Sequence, residues 1–217
     1  MRQLSIVISF LIISYLYGIL PTFSAVKGGI EYSIPIDYSK LSEEELKDKA
    51  RSYYIKVVEP VDEINQDDLT NALFLYSVLS KINPNSIEYA VKMGVLNDKL
   101  DKPRLAKGYF SKAVGIDFEN PQPYFYFGEF YYRRNLLRKA LHYFNRAYAS
   151  GFEKHYLTLY RIGCIYEKLG DTRSALNYLR QAQEQNNNPD LENAIKRVES
   201  QDSINKEYYS ETRIRIQ

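Results

Sequence analysis

Few residues in this chain could carry covalent or metal chemistry. It has one cysteine, Cys164, and two histidines, His142 and His155. A cysteine nucleophile needs a base beside it, and a helical zinc pair needs two ligands four residues apart. The histidines stand thirteen residues apart at ordinary places in the sequence pattern, so neither set can be assembled. No glycine-rich loop is left to cradle a phosphate, because the glycines read as helix contacts and turns. Carboxylates are plentiful but scattered over predicted solvent faces. The expectation is therefore a protein that is not an enzyme, with no catalytic residue, no metal and no cofactor.

The elements that would position a binding surface are much better defined. Ala72, Ala106, Ala140 and Ala175 stand 34, 34 and 35 residues apart. Tyr76, Phe110, Phe144 and Leu179 follow four residues behind each, and Leu79, Ala113, Ala147 and Ala182 three behind those. Upstream, Gly94, Gly128 and Gly163 repeat at 34 and 35 residues. Spacings of three and four within each unit, such as Leu141, Phe144 and Tyr148, put side chains on one face of a helix. Each unit is therefore two amphipathic helices joined by a tight turn. Gly and Ala hold the points where two helix backbones come close. Asp101, Asn135 and Gly170 fall between the paired helices, and these types tolerate the left-handed conformation that ends a helix. Pro103 suits the first turn of the helix that follows.

The blocks Ala90-x-x-Met93-Gly94-x-x-Asn97, Tyr124-x-x-Phe127-Gly128-x-x-Tyr131 and Leu159-x-x-Ile162-Gly163-x-x-Tyr166 resemble the tetratricopeptide repeat family. The first block lacks the large residues at Ala90 and Asn97, no Trp occurs, and Phe118 stands where a unit is usually closed by proline, as it is at Pro84. The resemblance implies an all-α, right-handed α-solenoid of stacked helix-turn-helix repeats that binds other proteins.

The expected organisation has six parts. Residues 1–25 read as a signal peptide or N-terminal membrane anchor: Arg2 leads an apolar stretch from Leu4 to Leu20, and small residues follow. No cysteine stands near its end for a lipid anchor. Residues 26–41, with Gly28, Gly29 and Pro35 and an alternating Ile30, Tyr32, Ile34, Ile36, read as an extended linker. Ser42 and Glu45 form a capping box that opens a degenerate first hairpin over 42–86, its first helix stopping before Pro60. Three full units cover 87–120, 121–155 and 156–189. Leu191, Ala194, Ile195 and Val198 make a capping helix over 190–202, and 203–217 is expected to fray.

A net charge of +2 and 45% apolar residues fit a folded protein that does not bind nucleic acid. Basic residues cluster at Arg133, Arg134, Arg138 and Lys139, read as a solvated helix face rather than a phosphate or acidic-partner site. Stacked hairpins curve into a concave surface lined by the first helix of each unit. Positions there outside the packing pattern are Glu88, Val91, Val95 and Asp98, then Phe125, Glu129, Tyr132 and Arg133, then Tyr160, Cys164, Glu167 and Lys168. This groove is expected to take a protein or peptide partner by aromatic contact. Val91, Val95 and Glu129 stand where family members that clamp a terminal carboxylate carry Lys and Asn, which argues against that subtype. The leader places the repeats outside the cytoplasm, in the periplasm or tethered through residues 4–20, and the wealth of Ile, Asn, Lys and Tyr suggests an AT-rich bacterial genome. The function expected is an adaptor of the bacterial cell envelope; the alternative is an accessory subunit or enzyme of peptidoglycan or polysaccharide assembly.

Overall fold

The computed structural model describes residues 41–60 and 63–214, with side chains as far as residue 203. The expected leader, and residues 26–40 of the expected linker, lie outside the described residues. Helix α1 spans Glu43–Val58 and α2 Gln66–Ile82, α3 spans Ile87–Lys99 and α4 Pro103–Ile116, and α5 spans Pro121–Arg133 and α6 Leu137–Ala147. A π-helical turn, Tyr148–Phe152, then leads to α7, Tyr156–Lys168, α8, Thr172–Gln185, and α9, Pro189–Ile214. No strand occurs among the described residues.

Local chemistry sets the boundaries. At α1 the Glu45 amide donates to Ser42 Oγ at 3.3 Å, and the Ser42 amide donates back to Glu45 Oε2 at 2.8 Å, so two otherwise orphaned donors are satisfied. Asn65, Ser86, Asn120 and Asp171 cap α2, α3, α5 and α8 with their side-chain oxygens. The three hairpin turns share one geometry. Asp101, Asn135 and Gly170 have φ of 51°, 54° and 83°. The amide after each bonds to a carbonyl five residues back: Lys102 to Asn97 at 2.9 Å, Leu136 to Tyr131 at 3.0 Å and Asp171 to Tyr166 at 2.9 Å. That is the Schellman closure, which reverses the chain and satisfies the last carbonyls of the first helix.

Packing within each hairpin turns on the glycines. A Cβ on Gly94 would lie 2.5 Å from the Phe110 ring, one on Gly128 2.8 Å from Phe144, and one on Gly163 2.7 Å from Leu179. Ala72, Ala106, Ala140 and Ala175, four residues before those large residues or their equivalent, are fully buried. Asn97, at a place where the other units carry tyrosine, is buried too, and its Nδ2 donates to the Met93 carbonyl at 2.8 Å. Rings interleave within and between units: Phe127 stacks on Tyr143 of its own hairpin at 4.2 Å and meets Phe110 of the preceding unit at 5.5 Å.

The first helices of successive units pack on one another, α1 on α3 and α3 on α5, whereas the second helices make no comparable contact among the described residues. The stack therefore bends with the first helices inside, and the molecule is an α-solenoid. The 35-residue interval between the second and third units is taken up at the π turn, where one extra residue widens the helix end and Gly151 turns the chain with φ 122°. Leu191, Ala194, Ile195 and Val198 close the far end against Leu159, Leu179 and Ala182. The capping helix does not stop near 202, as expected, but continues to Ile214. The sequence lacks an apolar stripe there, yet no Pro or Gly interrupts 190–214, so nothing in it breaks the helix.

Gly128→Ala should lower stability by about 1–3 kcal/mol, because Phe144 cannot retreat from a packed interface. Gly108→Ala, on the outer face of α4 with nothing within 4 Å, should instead raise it by about 0.5–1 kcal/mol. Denaturant melts of the two variants check both signs.

Candidate functional site

The inner face is built from α1, α3, α5, α7 and the start of α9, and ion pairs run along it from unit to unit. Arg51 reaches Glu88 at 4.0 Å. Asp98 is paired with both Arg133 and Arg134, the latter at 2.6 Å. Glu129 takes a two-pronged bond from Arg161, at 2.5 and 3.1 Å. Glu167 takes another from Arg197, at 2.5 and 2.8 Å. In each case the two charges belong to different units. Forked guanidinium–carboxylate pairs of this kind are short, directional and stronger than neutral hydrogen bonds. They strap neighbouring units together on the side where those units touch.

The expected groove residues divide sharply. Val91, Val95, Phe125 and Cys164 are only 1%, 4%, 9% and 5% exposed, so the expectation that they line an open groove is corrected. A position free of the small-residue pattern is claimed by other packing, from within its own unit or from the next. Phe125 packs between Phe144, Phe152 and His155, with ring centroids at 5.7, 6.2 and 5.1 Å. Burial raises the pKa of the Cys164 thiol, which makes it a poor nucleophile. Asp98, Glu129 and Glu167 stay on the inner face, but as straps. Arg133 is half spent on Asp98.

Tyr132, Tyr160 and Lys168 remain presented, with Glu88 further along. Lys168 Nζ lies 4.5 Å from the centre of the Tyr132 ring, and the Arg161 guanidinium 5.0 Å from the same ring and 5.8 Å from that of Tyr160. Two cations thus hold one tyrosine. Burial pushes the Tyr160 phenol up to about 12, so it remains a neutral donor. A small cleft of about 110 Å³ opens beside Tyr160, between Tyr156, Leu157 and the start of α9 at Asn188, Asp190 and Leu191. A larger, open cleft of about 550 Å³ lies away from this face, between α8 and α9 at Arg173, Arg180, Glu184 and Asp202. Among the described residues no group of three or more His, Cys, Asp or Glu could hold a metal ion, and no helix is long and apolar enough to cross a membrane. The apolar stretch 4–20 lies outside those residues.

Sequence reasoning missed Arg51, Arg161 and Arg197, the basic halves of the straps. The signal was available only as acid and Arg on inner helices about one repeat apart, at separations of 37, 32 and 30 residues, with no fixed register to make it stand out.

The family profile described as Tetratricopeptide repeat matches residues 156–189. The fold is that of a tetratricopeptide-repeat solenoid. Solved structures agree: Pseudomonas aeruginosa PilF superposes with a TM-score of 0.61 at 15% identity, over 73% of this chain and 71% of its own. MamA gives 0.55 at 18% identity, over 67% and 85%. PilW, described as a widely conserved type IV pilus biogenesis factor, gives 0.54 at 17% identity, over 66% and 63%. No curated protein matches the sequence.

Two outcomes follow from the solenoid's inner face. Glu129→Ala leaves Arg161 without its fork and should cost about 1–3 kcal/mol, read as a lower denaturant midpoint with helical content unchanged. His155 sits among Phe125, Phe152 and Tyr156, with Nδ1 2.8 Å from Thr158 Oγ1, and burial depresses its pKa below the ordinary imidazole value. A depressed histidine contributes stability that is present above its unfolded pKa of about 6.5 and is lost as pH falls through the lower folded value. The melting temperature of the wild type should therefore fall more steeply between about pH 6.5 and 5 than that of His155→Asn.

Proposed function

We propose that this solenoid is a non-enzymatic scaffold of the bacterial cell envelope, which holds an aromatic or apolar segment of a partner protein on its inner face. The observation that carries the reading is the strip of Tyr132, Lys168 and Tyr160. It stays presented while the other charges of that face are spent on strapping units together. Tyrosines held by cations are rigid, broad and only half-buried, the properties that make side chains into interface hot spots. With Asp98, Glu129 and Glu167 already neutralised, an incoming segment meets ring faces and two cationic heads rather than a row of free acids. Arg133 and Glu88 would contact its flanks.

Support for the envelope comes from the sequence, in the apolar leader at residues 4–20 and the small residues after it. PilW carries the description of a pilus biogenesis factor, and an assembly role of that general kind is what we assign here. The separation from the cytoplasm would leave the repeats as the part that meets other envelope proteins.

A photo-crosslinking residue placed at Tyr132 or Lys168 in the native envelope should trap a discrete protein adduct. The same residue at the outer position Glu184 should not. Tyr132→Ala combined with Tyr160→Ala should abolish the adduct formed from Lys168 while leaving the helical circular dichroism intact. Equal adducts from inner and outer positions, or an adduct indifferent to the two substitutions, would reject the inner face as the site.

A further inference from the structure

The outer face has the opposite electrostatic character from the inner one. Helices α4 and α6 carry Arg104, Lys107 and Lys112, and Arg138, Lys139 and Arg146, and neither contains an Asp or Glu. All six basic residues are exposed. Arg146 leans on Tyr124, 5.2 Å from its ring centre, and Lys139 lies 5.7 Å from that of Tyr131. Among the described residues no carboxylate is paired with Arg104, Lys107, Lys112, Arg138 or Lys139, although inner-face acids and arginines are joined one to another. A whole-chain charge of only +2 therefore hides a division: inside, charge is cancelled by neighbours, and outside, two adjacent units present uncancelled positive charge. The repeat register reinforces it, since Arg104 and Arg138 are 34 residues apart, as are Lys112 and Arg146. Exposed apolar side chains lie among these charges, Leu105 at 53% and Leu136 at 44%.

We infer that the outer face of α4 and α6 is a docking surface for an anionic phospholipid bilayer. Three features favour lipid over an acidic protein. The charges are spread across two helices without converging on a cavity, so they read charge density rather than the shape of one ligand. Leucines beside the basic groups have an apolar destination at a headgroup boundary. Residues 21–41 between the apolar stretch and the first capping box reach at most roughly 70 Å. A chain tethered through residues 4–20 would thus keep this face near the bilayer, where weak electrostatic attraction acts at high effective concentration. That last point rests on the envelope-tethered reading above. The surface orients the solenoid, turning its outer side to the lipid and leaving its inner strip free for a partner.

The test uses the full chain in nanodiscs of neutral phosphatidylcholine or with about one third phosphatidylglycerol. A fluorophore is placed at Gly108→Cys, between Lys107 and Lys112, with Cys164→Ser to leave one thiol, and nitroxide-labelled headgroups act as quencher. Co-elution with neutral nanodiscs reports the tether by itself. The surface is read from the quenching: it should be several-fold stronger in anionic nanodiscs and should vanish near 0.5 M salt, where screening lengths shrink to about 4 Å. The variant Arg104→Gln, Lys107→Gln, Arg138→Gln, Lys139→Gln should weaken it roughly tenfold or more. Chain that fails to co-elute with neutral discs yet is quenched on anionic ones would sink the tether and keep the surface. Equal quenching on both lipids, an unaffected quadruple variant, or release by millimolar inorganic phosphate or poly-glutamate at constant ionic strength would overturn the lipid assignment.

Discussion

Everything in this molecule depends on the approach of two helix backbones at one point per hairpin. Gly94 meets Phe110, Gly128 meets Phe144 and Gly163 meets Leu179, always sixteen residues apart. That constant separation fixes the length of the first helix, the Schellman turn and the start of the second helix as one unit. Any side chain at the glycine would displace a large residue that is itself fully buried. The cost of glycine in a helix, about 1 kcal/mol relative to alanine, is accepted three times because the alternative would open each hairpin. Once the hairpins have one shape, stacking them is repetition, and the curvature of the inner face is a consequence of which helices touch.

Curvature in turn explains the distribution of charge. Inner helices of adjacent units come close enough for an Arg of one to fork onto a carboxylate of the next, as Arg161 does on Glu129 and Arg197 on Glu167. Outer helices diverge, so basic residues on α4 and α6 find no carboxylate across the gap. The same bend that buries Val91, Val95 and Phe125 leaves Arg104 and Arg138 open to solvent. Two faces of different chemistry thus follow from one geometric cause, and neither needs a separate element to build it.

The hairpins were legible in the sequence because they rest on local rules. Capping oxygens, a left-handed residue at a fixed place and small residues at a fixed period are each readable within a few positions, and Ser42, Asn135 and Gly128 behave as those rules demand. The inner face was legible only in part. Tyr132, Tyr160 and Lys168 stand where the periodicity put them. Val95 and Cys164 do not, because a periodicity argument treats a helix as having one neighbour, whereas an inner helix has its hairpin mate and two adjacent units. The straps were invisible for a related reason. Their separations of 30 to 37 residues vary with the local turn, and long side chains reach their partners by rotamer choice rather than by register. The length of α9 escaped because the stretch after 202 shows no apolar stripe at helical spacing, and the absence of Pro and Gly is a weaker signal than a stripe.

The junction between the second and third units is where the repetition departs from its 34-residue period. An extra residue there is absorbed by the π turn at Tyr148–Phe152, and Phe125 packs on Phe144, Phe152 and His155 at that end of the second unit. The Arg161–Glu129 fork crosses the boundary itself, beside the direct packing of α6 on α7. In a quasi-one-dimensional array, each interface contributes its own term to stability, and the weakest sets where the array can flex. Flexing here would change the distance between Tyr132, on the second unit, and Lys168 and Tyr160, on the third. The presented strip therefore straddles a joint between two units, so adapting to an incoming segment and bending the array are the same motion.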